Sequence, residues 1–181
     1  RKAMTFDEFL GIPDDGIRRE LIRGVVRERG PTIRDRFHGE ALASIGTLLS
    51  VWLETRPRPS GEIVAGEVGF GIRGESDTAL DIDVAYASAE LAAATPGTAI
   101  FEGAPVPAVE IVSPTEGPEE VAEKLAIYRE IGTVAWVVDT DLQTVTIYRP
   151  DSGPSLLRSE DAIRDQPYLP GFRARVSDIF E

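Results

Sequence analysis

Val106 to Val112 is an apolar run with a single charge, Glu110, and such a run predicts a central strand and hence a sheet around it. The carboxylate is the difficulty. Left unpaired inside that strand it costs several kcal/mol, so it requires a partner or a metal ion. Asp83 raises the same difficulty between Ile82 and Val84. There Leu80, Ile82, Val84 and Tyr86 alternate with Asp81, Asp83 and Ala85, so each set is expected to share one face. Lys124 raises it a third time, on the helix that follows the Glu110 strand.

The other elements read as follows. Thr5-Phe6-Asp7-Glu8 fits a capping box and opens a short helix ending near Gly11 or Pro13. Asp14-Asp15-Gly16 is a turn. Arg18 to Ile22 and Val25 to Arg27 flank Arg23-Gly24 as a tight hairpin, with Glu20 and Ile22 on one face. From Phe37 to about Glu54 the residues His38, Leu42, Ile45, Leu49 and Trp52 recur at helical spacing, with His38 in line with the apolar stripe. Arg56 to Gly61 ends that helix, Glu62 to Ile72 is a strand dotted with glycines, and Arg73 to Thr78 is a loop.

Gly117-Pro118-Glu119-Glu120 starts a helix that Gly132 stops. Its apolar face is Val121, Leu125, Tyr128 and Ile131, and Lys124 falls inside that sector. Val134 to Val138 is a buried strand ending in Asp139, with Val145, Ile147 and Arg149 as its antiparallel neighbour across the turn at Thr140 to Gln143. The tail from Leu169 to Phe180 reads as a turn and a short packing segment.

A length of 181 residues suits one domain, residues 1–181, and 42% hydrophobic content supplies its core. The absence of cysteine excludes disulfides, thiolate zinc sites and cysteine nucleophiles. With no secretory segment, the chain is expected to be intracellular and cytoplasmic. No apolar stretch approaches the ~20 residues of a membrane span, so no membrane partner is expected. Lys and Arg number 19 against 31 Asp and Glu, and the net charge of −12 disfavours clamping of nucleic acid by the surface as a whole. Ser113 follows no nucleophile-elbow pattern, and Gly66, Gly69, Gly71 and Gly74 make no phosphate loop.

The three misplaced charges ask for one explanation. If the Asp83 and Glu110 strands are neighbours and the helix packs across them, two carboxylates and one ammonium converge. That is a divalent-cation site with a lysine beside it. Carboxylate oxygens suit Mg²⁺ (or Mn²⁺), and the lysine can stabilise charge developing on phosphorus or position the attacking water. The implied reaction is phosphodiester hydrolysis.

Nearly end to end, the chain resembles the Uma2 family of endonucleases, within the PD-(D/E)XK nuclease superfamily. The resemblance rests on Glu20-Leu21-Ile22-Arg23-Gly24, His38, Asp83-Val84 and Val109-Glu110-Ile111-Val112-Ser113-Pro114. It continues through Lys124, Tyr128, Gly132 and Trp136-Val137-Val138-Asp139 to Leu169-Pro170-Gly171-Phe172. It implies an α/β fold with a restriction-endonuclease-like core, a mixed central β-sheet flanked by α-helices, and DNA as substrate. It also implies Asp83 and Glu110 as metal ligands, and their gap of 110 − 83 = 27 residues is compatible with that pattern. Two departures stand out. Ile82 occupies the place of a proline before the first acid, and Val112 occupies the place of the lysine two residues after the Glu. Lys124 is the natural replacement and the third catalytic candidate, with Glu20 and His38 as auxiliary groups.

Each residue also has a plainer role. Asp83 could face solvent on an edge strand, Glu110 could form a buried ion pair, with Lys124 itself among its partners, and Lys124 could extend its ammonium to water. Asp81 reads as a strand-end or turn residue, and Glu20 equally as a hairpin salt bridge with Arg18 or Arg27. His38 reads as a satisfied helix residue or a phosphate-facing support, and Tyr128 and Trp136 read as core. The leading function is a Mg²⁺-dependent endonuclease. The alternatives are a non-catalytic interaction or regulatory module, as a homodimer, and a phosphoesterase acting on a small nucleotide. DNA binding by so acidic a chain needs a local basic rim. Arg18, Arg19, Arg23, Arg27, Arg29, Arg34, Arg36, Arg56 and Arg58 could form one if they border the site, and could not if they pair with acids.

Overall fold

The computed structural model describes residues 2–29, 34–95, 97–112 and 117–181, so the Ser113-Pro114 end of the Glu110 motif lies outside the described residues. Thr5 caps α1 (Phe6–Leu10): its hydroxyl accepts the Glu8 N–H while the Glu8 carboxylate accepts the Thr5 N–H. β1 (Arg18–Ile22) and β2 (Val25–Arg29) form the expected hairpin, and Arg23 and Gly24 both take positive φ (47° and 75°), as a two-residue turn of that hand demands.

α2 (Arg36–Glu54) opens on Asp35, whose carboxylate accepts the His38 N–H. Its buried stripe is His38, Ala41, Ile45, Leu49 and Trp52. Ala41 therefore takes the inward place predicted for Leu42, which is half-buried: the stripe is centred one step round the helix from the expected line.

β3 (Glu62–Ile72) pairs antiparallel with β4 (Thr78–Ala87), and α3 (Ala89–Ala94) and β5 (Phe101–Glu102) occupy the connection to β6 (Ala108–Val112). α4 (Pro118–Glu130) then crosses to β7 (Ala135–Asp139), parallel to β6, and β8 (Thr144–Arg149) and β9 (Ser152–Leu157) extend the sheet antiparallel. The sheet runs β2-β1-β4-β6-β7-β8-β9, with β3 and β5 attached beside β4. β6 is central, as its sequence requires, and the architecture is the expected α/β class with a mixed sheet and flanking helices.

A small cluster joins Phe6 of α1 to Leu21 and Ala79, and two larger clusters make up the rest of the core. In one, Ala41, Ile45, Leu49 and Trp52 of α2 meet Val84, Val109, Ile111, Trp136 and Val138. In the other, Ile127 and Tyr128 of α4 meet Ile82, Ala85, Ala108 and Ala135. β6 thus sends Val109 and Ile111 toward α2, and Ala108, with Glu110 two residues on, toward α4. The uniform alternation expected of β4 does not hold. Leu80 and Ile82 pack in the same cluster as Ala85 and Ala87, while Val84 and Tyr86 pack with α2. The change falls at Asp83, opposite a bulge in β3: Ala65 faces Val84 and Val68 faces Ile82, so Gly66 and Glu67 together oppose Asp83. A bulge adds local twist and re-aims the side chains across from it.

β10 (Ala162–Arg164) and β11 (Arg173–Arg175) make a small separate sheet, followed by a 3₁₀ turn at Ser177–Ile179, and Ile163, Phe172, Val176 and Ile179 close the α2 cluster. No helix among the described residues is long and apolar enough to cross a membrane.

Candidate functional site

Glu20 of β1, His38 of α2, Asp83 of β4, Glu110 of β6 and Lys124 of α4 come together, none more than 8% exposed. The backbone makes room for them where β4 and β6 part. Their pairing covers only Val84 with Val109 and Ala85 with Ala108, and beyond it Asp83 Oδ2 accepts the Ile111 N–H at 2.8 Å. A carboxylate thus replaces a ladder bond.

Glu110 Oε2 accepts from Lys124 Nζ at 3.0 Å, and its Oε1 accepts from the Tyr128 hydroxyl. Lys124 Nζ also donates to the Asp81 carbonyl at 2.6 Å and lies 3.4 Å from Glu20 Oε1. The ammonium is turned inward rather than extended to water, because two carboxylates and a carbonyl replace its hydration. The same attraction recentres α4: Lys124, Ile127 and Tyr128 are its buried residues, and Val121, Leu125 and Ile131 are half-buried. Glu20 Oε2 is held by Arg29 at 2.6 Å, not by Arg18 or Arg27. Arg27, directly opposite Glu20 in the hairpin, goes to Glu123, and its diagonal neighbour Arg29 reaches across instead. Asp81 is no turn residue: it is half-buried and paired with Arg18 at 3.1 Å.

His38 Nε2 stands 3.5 Å from Asp83 Oδ1, buried and without a hydrogen-bond partner. Tyr128, read from sequence as core, is a site residue through its hydroxyl. Its position four residues after Lys124, one helical turn along the same face, was the available signal.

Burial pushes the Glu110 carboxyl up; Lys124 opposes that and the Asp83 charge adds to it, and the result is about 7. Burial also acts on Glu20, but Lys124 and Arg29 outweigh it and hold that carboxyl below the usual range. Asp83 is likewise lowered, because His38 and the Ile111 N–H outweigh its burial. Burial disfavours the Lys124 ammonium, yet Glu110 and Glu20 hold its pKa above the ordinary value. With Glu110 ionised, three carboxylates, Glu20, Asp83 and Glu110, face two cations, Lys124 and Arg29, and the cluster is one positive charge short; the raised Glu110 pKa means that a proton fills that place when no cation is bound.

That deficit, with hard oxygen donors on Asp83 and Glu110 and an unpartnered imidazole nitrogen alongside, fits a divalent cation of the Mg²⁺ or Mn²⁺ kind completed by water. Such a cation would share Glu110 with Lys124. Among the described residues no group of three or more His, Cys, Asp or Glu stands at metal-binding spacing.

The arginines of the first part of the chain are engaged with acids. Arg19 pairs with Asp15 and Glu28, Arg23 with Glu130, Arg29 also with Glu120, and Arg36 with Glu40. Arg18 and Arg34 both pair with Glu67. Arg56 lies over the Trp52 ring. Among the described residues, the arginines of β1, β2 and the start of α2 are thus engaged with acids and do not form an open basic rim.

The profile of the Uma2 family, described as "Putative restriction endonuclease", matches residues 6–177. The chain belongs to the Uma2 family. A solved structure described as "a putative nuclease belonging to DUF820 from Anabaena variabilis ATCC 29413" superposes with a TM-score of 0.81, covering 98% of this chain and 97% of that one at 20% identity. That likeness establishes the fold. No curated protein matches this Uma2 chain.

Proposed function

We propose that this Uma2 protein is a divalent-metal-dependent endonuclease, a single nuclease-like domain over residues 1–181 that hydrolyses DNA phosphodiester bonds in the cytoplasm. The observation that carries the reading is a buried group in which Lys124 is held between Glu110 and Glu20, with Asp83 on the strand adjacent to Glu110 and bonded to the Ile111 N–H. Family membership supports it.

Asp83 and Glu110 would hold Mg²⁺ (or Mn²⁺), which polarises a phosphoryl oxygen and makes bound water a better nucleophile. Glu110 and Glu20 favour the charged form of Lys124, whose ammonium would stabilise negative charge gathering on the phosphoryl oxygens or position the attacking water. Tyr128 fixes the rotamer of Glu110, and Glu20 with Arg29 fixes the ammonium of Lys124. His38, 3.5 Å from Asp83, would support that carboxylate or the cation it holds.

A second reading, the non-catalytic module acting as a homodimer, is favoured by one observation: both Glu110 oxygens already carry protein donors. Calorimetric titration of Mn²⁺ and Mg²⁺ into the wild type and Glu110→Gln, with plasmid nicking on the same preparations, separates them. Binding and nicking that both vanish in Glu110→Gln support the metal nuclease. Metal binding without nicking points to a smaller phosphoester. No binding by folded wild type leaves the module.

A further inference from the structure

Glu67 is held in an unusual way. It follows Gly66 in the β3 bulge, and the two residues together oppose Asp83 across the strand pair. Its φ of 60° is left-handed, a region that residues with a Cβ rarely adopt, and such outliers gather at functional sites. Two guanidinium groups converge on a single oxygen of its side chain: Arg18 Nη1 at 2.7 Å and Arg34 Nη2 at 2.6 Å reach Glu67 Oε1. Arg18 in turn holds Asp81, two residues before Asp83. Arg34 adjoins Asp35, the cap of the helix turn that brings His38 to Asp83.

These side chains differ from the buried cluster in one respect that matters for binding. Arg18, Glu67 and Arg34 keep 28%, 29% and 21% of their side-chain surface in solvent, against 1% for Glu20. The arginine pair and Glu67 are thus partly open to a ligand, whereas the side chains of the cluster are nearly buried.

Two forked guanidinium groups on one anionic oxygen are a phosphate-binding arrangement, and here a carboxylate fills it. We infer that Arg18 and Arg34 form the clamp for a substrate backbone phosphate beside the Asp83 site, and that the Glu67 carboxylate is an internal stand-in which that phosphate displaces. The inference rests on the hydrolytic reading for the identity of the anion, a nucleic-acid phosphodiester. It also accounts for how an acidic chain with paired arginines engages DNA. When Glu67 leaves, the N–H groups that Arg18 and Arg34 give to its carboxylate pass to the phosphate, with Arg18 still holding Asp81.

The test is the affinity of the metal-free protein, in EDTA at low salt, for a fluorescein-labelled DNA duplex. Glu67→Gln keeps the shape of the side chain and removes its charge. Glu67→Gly suits the left-handed backbone, so the test survives if the Gln variant folds poorly. Both are expected to bind about tenfold tighter than the wild type, the worth of one charge-assisted contact no longer competed for. Both should also show a steeper salt dependence, by about one phosphate contact. The gain should disappear in Arg34→Gln/Glu67→Gln and be absent in Glu62→Gln, which removes a charge at the exposed start of the same strand. Affinity unchanged or weakened in both Glu67 variants overturns the clamp, and so does a gain that survives loss of Arg34 or appears equally in Glu62→Gln. Plasmid nicking by the wild type with Mn²⁺ is read separately. Tighter binding with no nicking upholds the clamp and overturns the hydrolytic reading, whereas nicking with no gain overturns the clamp alone.

Discussion

At the scale of single residues, the site is a contest between burial and pairing, and Glu110 and Glu20 fall on opposite sides of it. Both are carboxylates near Lys124, but Glu20 also has Arg29, and its pKa falls while that of Glu110 rises to about 7. The consequence for stability has opposite signs. Between the unfolded value of 4.5 and about 7 the folded protein binds the Glu110 proton more tightly than the unfolded chain does. Metal-free protein should therefore lose stability as pH rises through that window, by on the order of 3 kcal/mol. Glu20 and Asp83 contribute stability above their unfolded values that is lost as pH falls through their lowered ones. Thermal melts in EDTA across pH 4 to 8 should show a decline toward neutral pH in the wild type that Glu110→Gln flattens; an identical decline in both places the titration elsewhere. Tyr128→Phe removes only a donor to Glu110. It should reduce nicking about tenfold or more while the melting temperature moves by a few degrees, since the ring keeps its packing. Equal losses in both readouts would make Tyr128 structural alone.

At the scale of elements, what could be read in the sequence was what local chemistry decides. Arg23-Gly24 fixes the β1–β2 hairpin, the capping box fixes α1, and Gly117-Pro118 fixes the start of α4. The charges at 83, 110 and 124 stood out because none has a local use for its charge; Glu110 and Lys124 pair at 3.0 Å, and Asp83 bonds the Ile111 N–H beside Glu110. Elements held by tertiary pairing were not legible. β9 carries Ser, Gly and Pro and exists because β8 pairs with it, and β10 and β11, at three residues each, are too short to show a period. The face change in β4 is likewise invisible in its own alternating pattern, since its cause lies in the bulge of β3. The first turn of α2 joins local and tertiary effects: Asp35 caps it and His38 uses its rigidity to face Asp83. Asp35→Ala should cost about 1 kcal/mol of stability, read by urea unfolding. If that turn orients Asp83, nicking should fall by more than this cost explains; activity that tracks folded fraction alone would remove His38 from the site.

At the scale of the whole molecule, the net charge of −12 and the acid-paired arginines of β1, β2 and the start of α2 disfavour a broad DNA-binding surface. Nonspecific binding across an extended face usually neutralises several phosphates and weakens steeply with salt. On the nuclease reading attraction is local, confined to a cation held at Asp83 and Glu110 and to the arginines held by Glu67. Affinity of the wild type for duplex DNA should accordingly fall only shallowly with added monovalent salt, with a logarithmic slope of about two or less. It should strengthen on adding Mg²⁺ to Asp83-competent protein, and that gain should vanish in Asp83→Asn. A slope of about six or more in the metal-free wild type would require a basic face elsewhere. On the nuclease reading, the acidic remainder of the surface would repel duplex that does not reach the site.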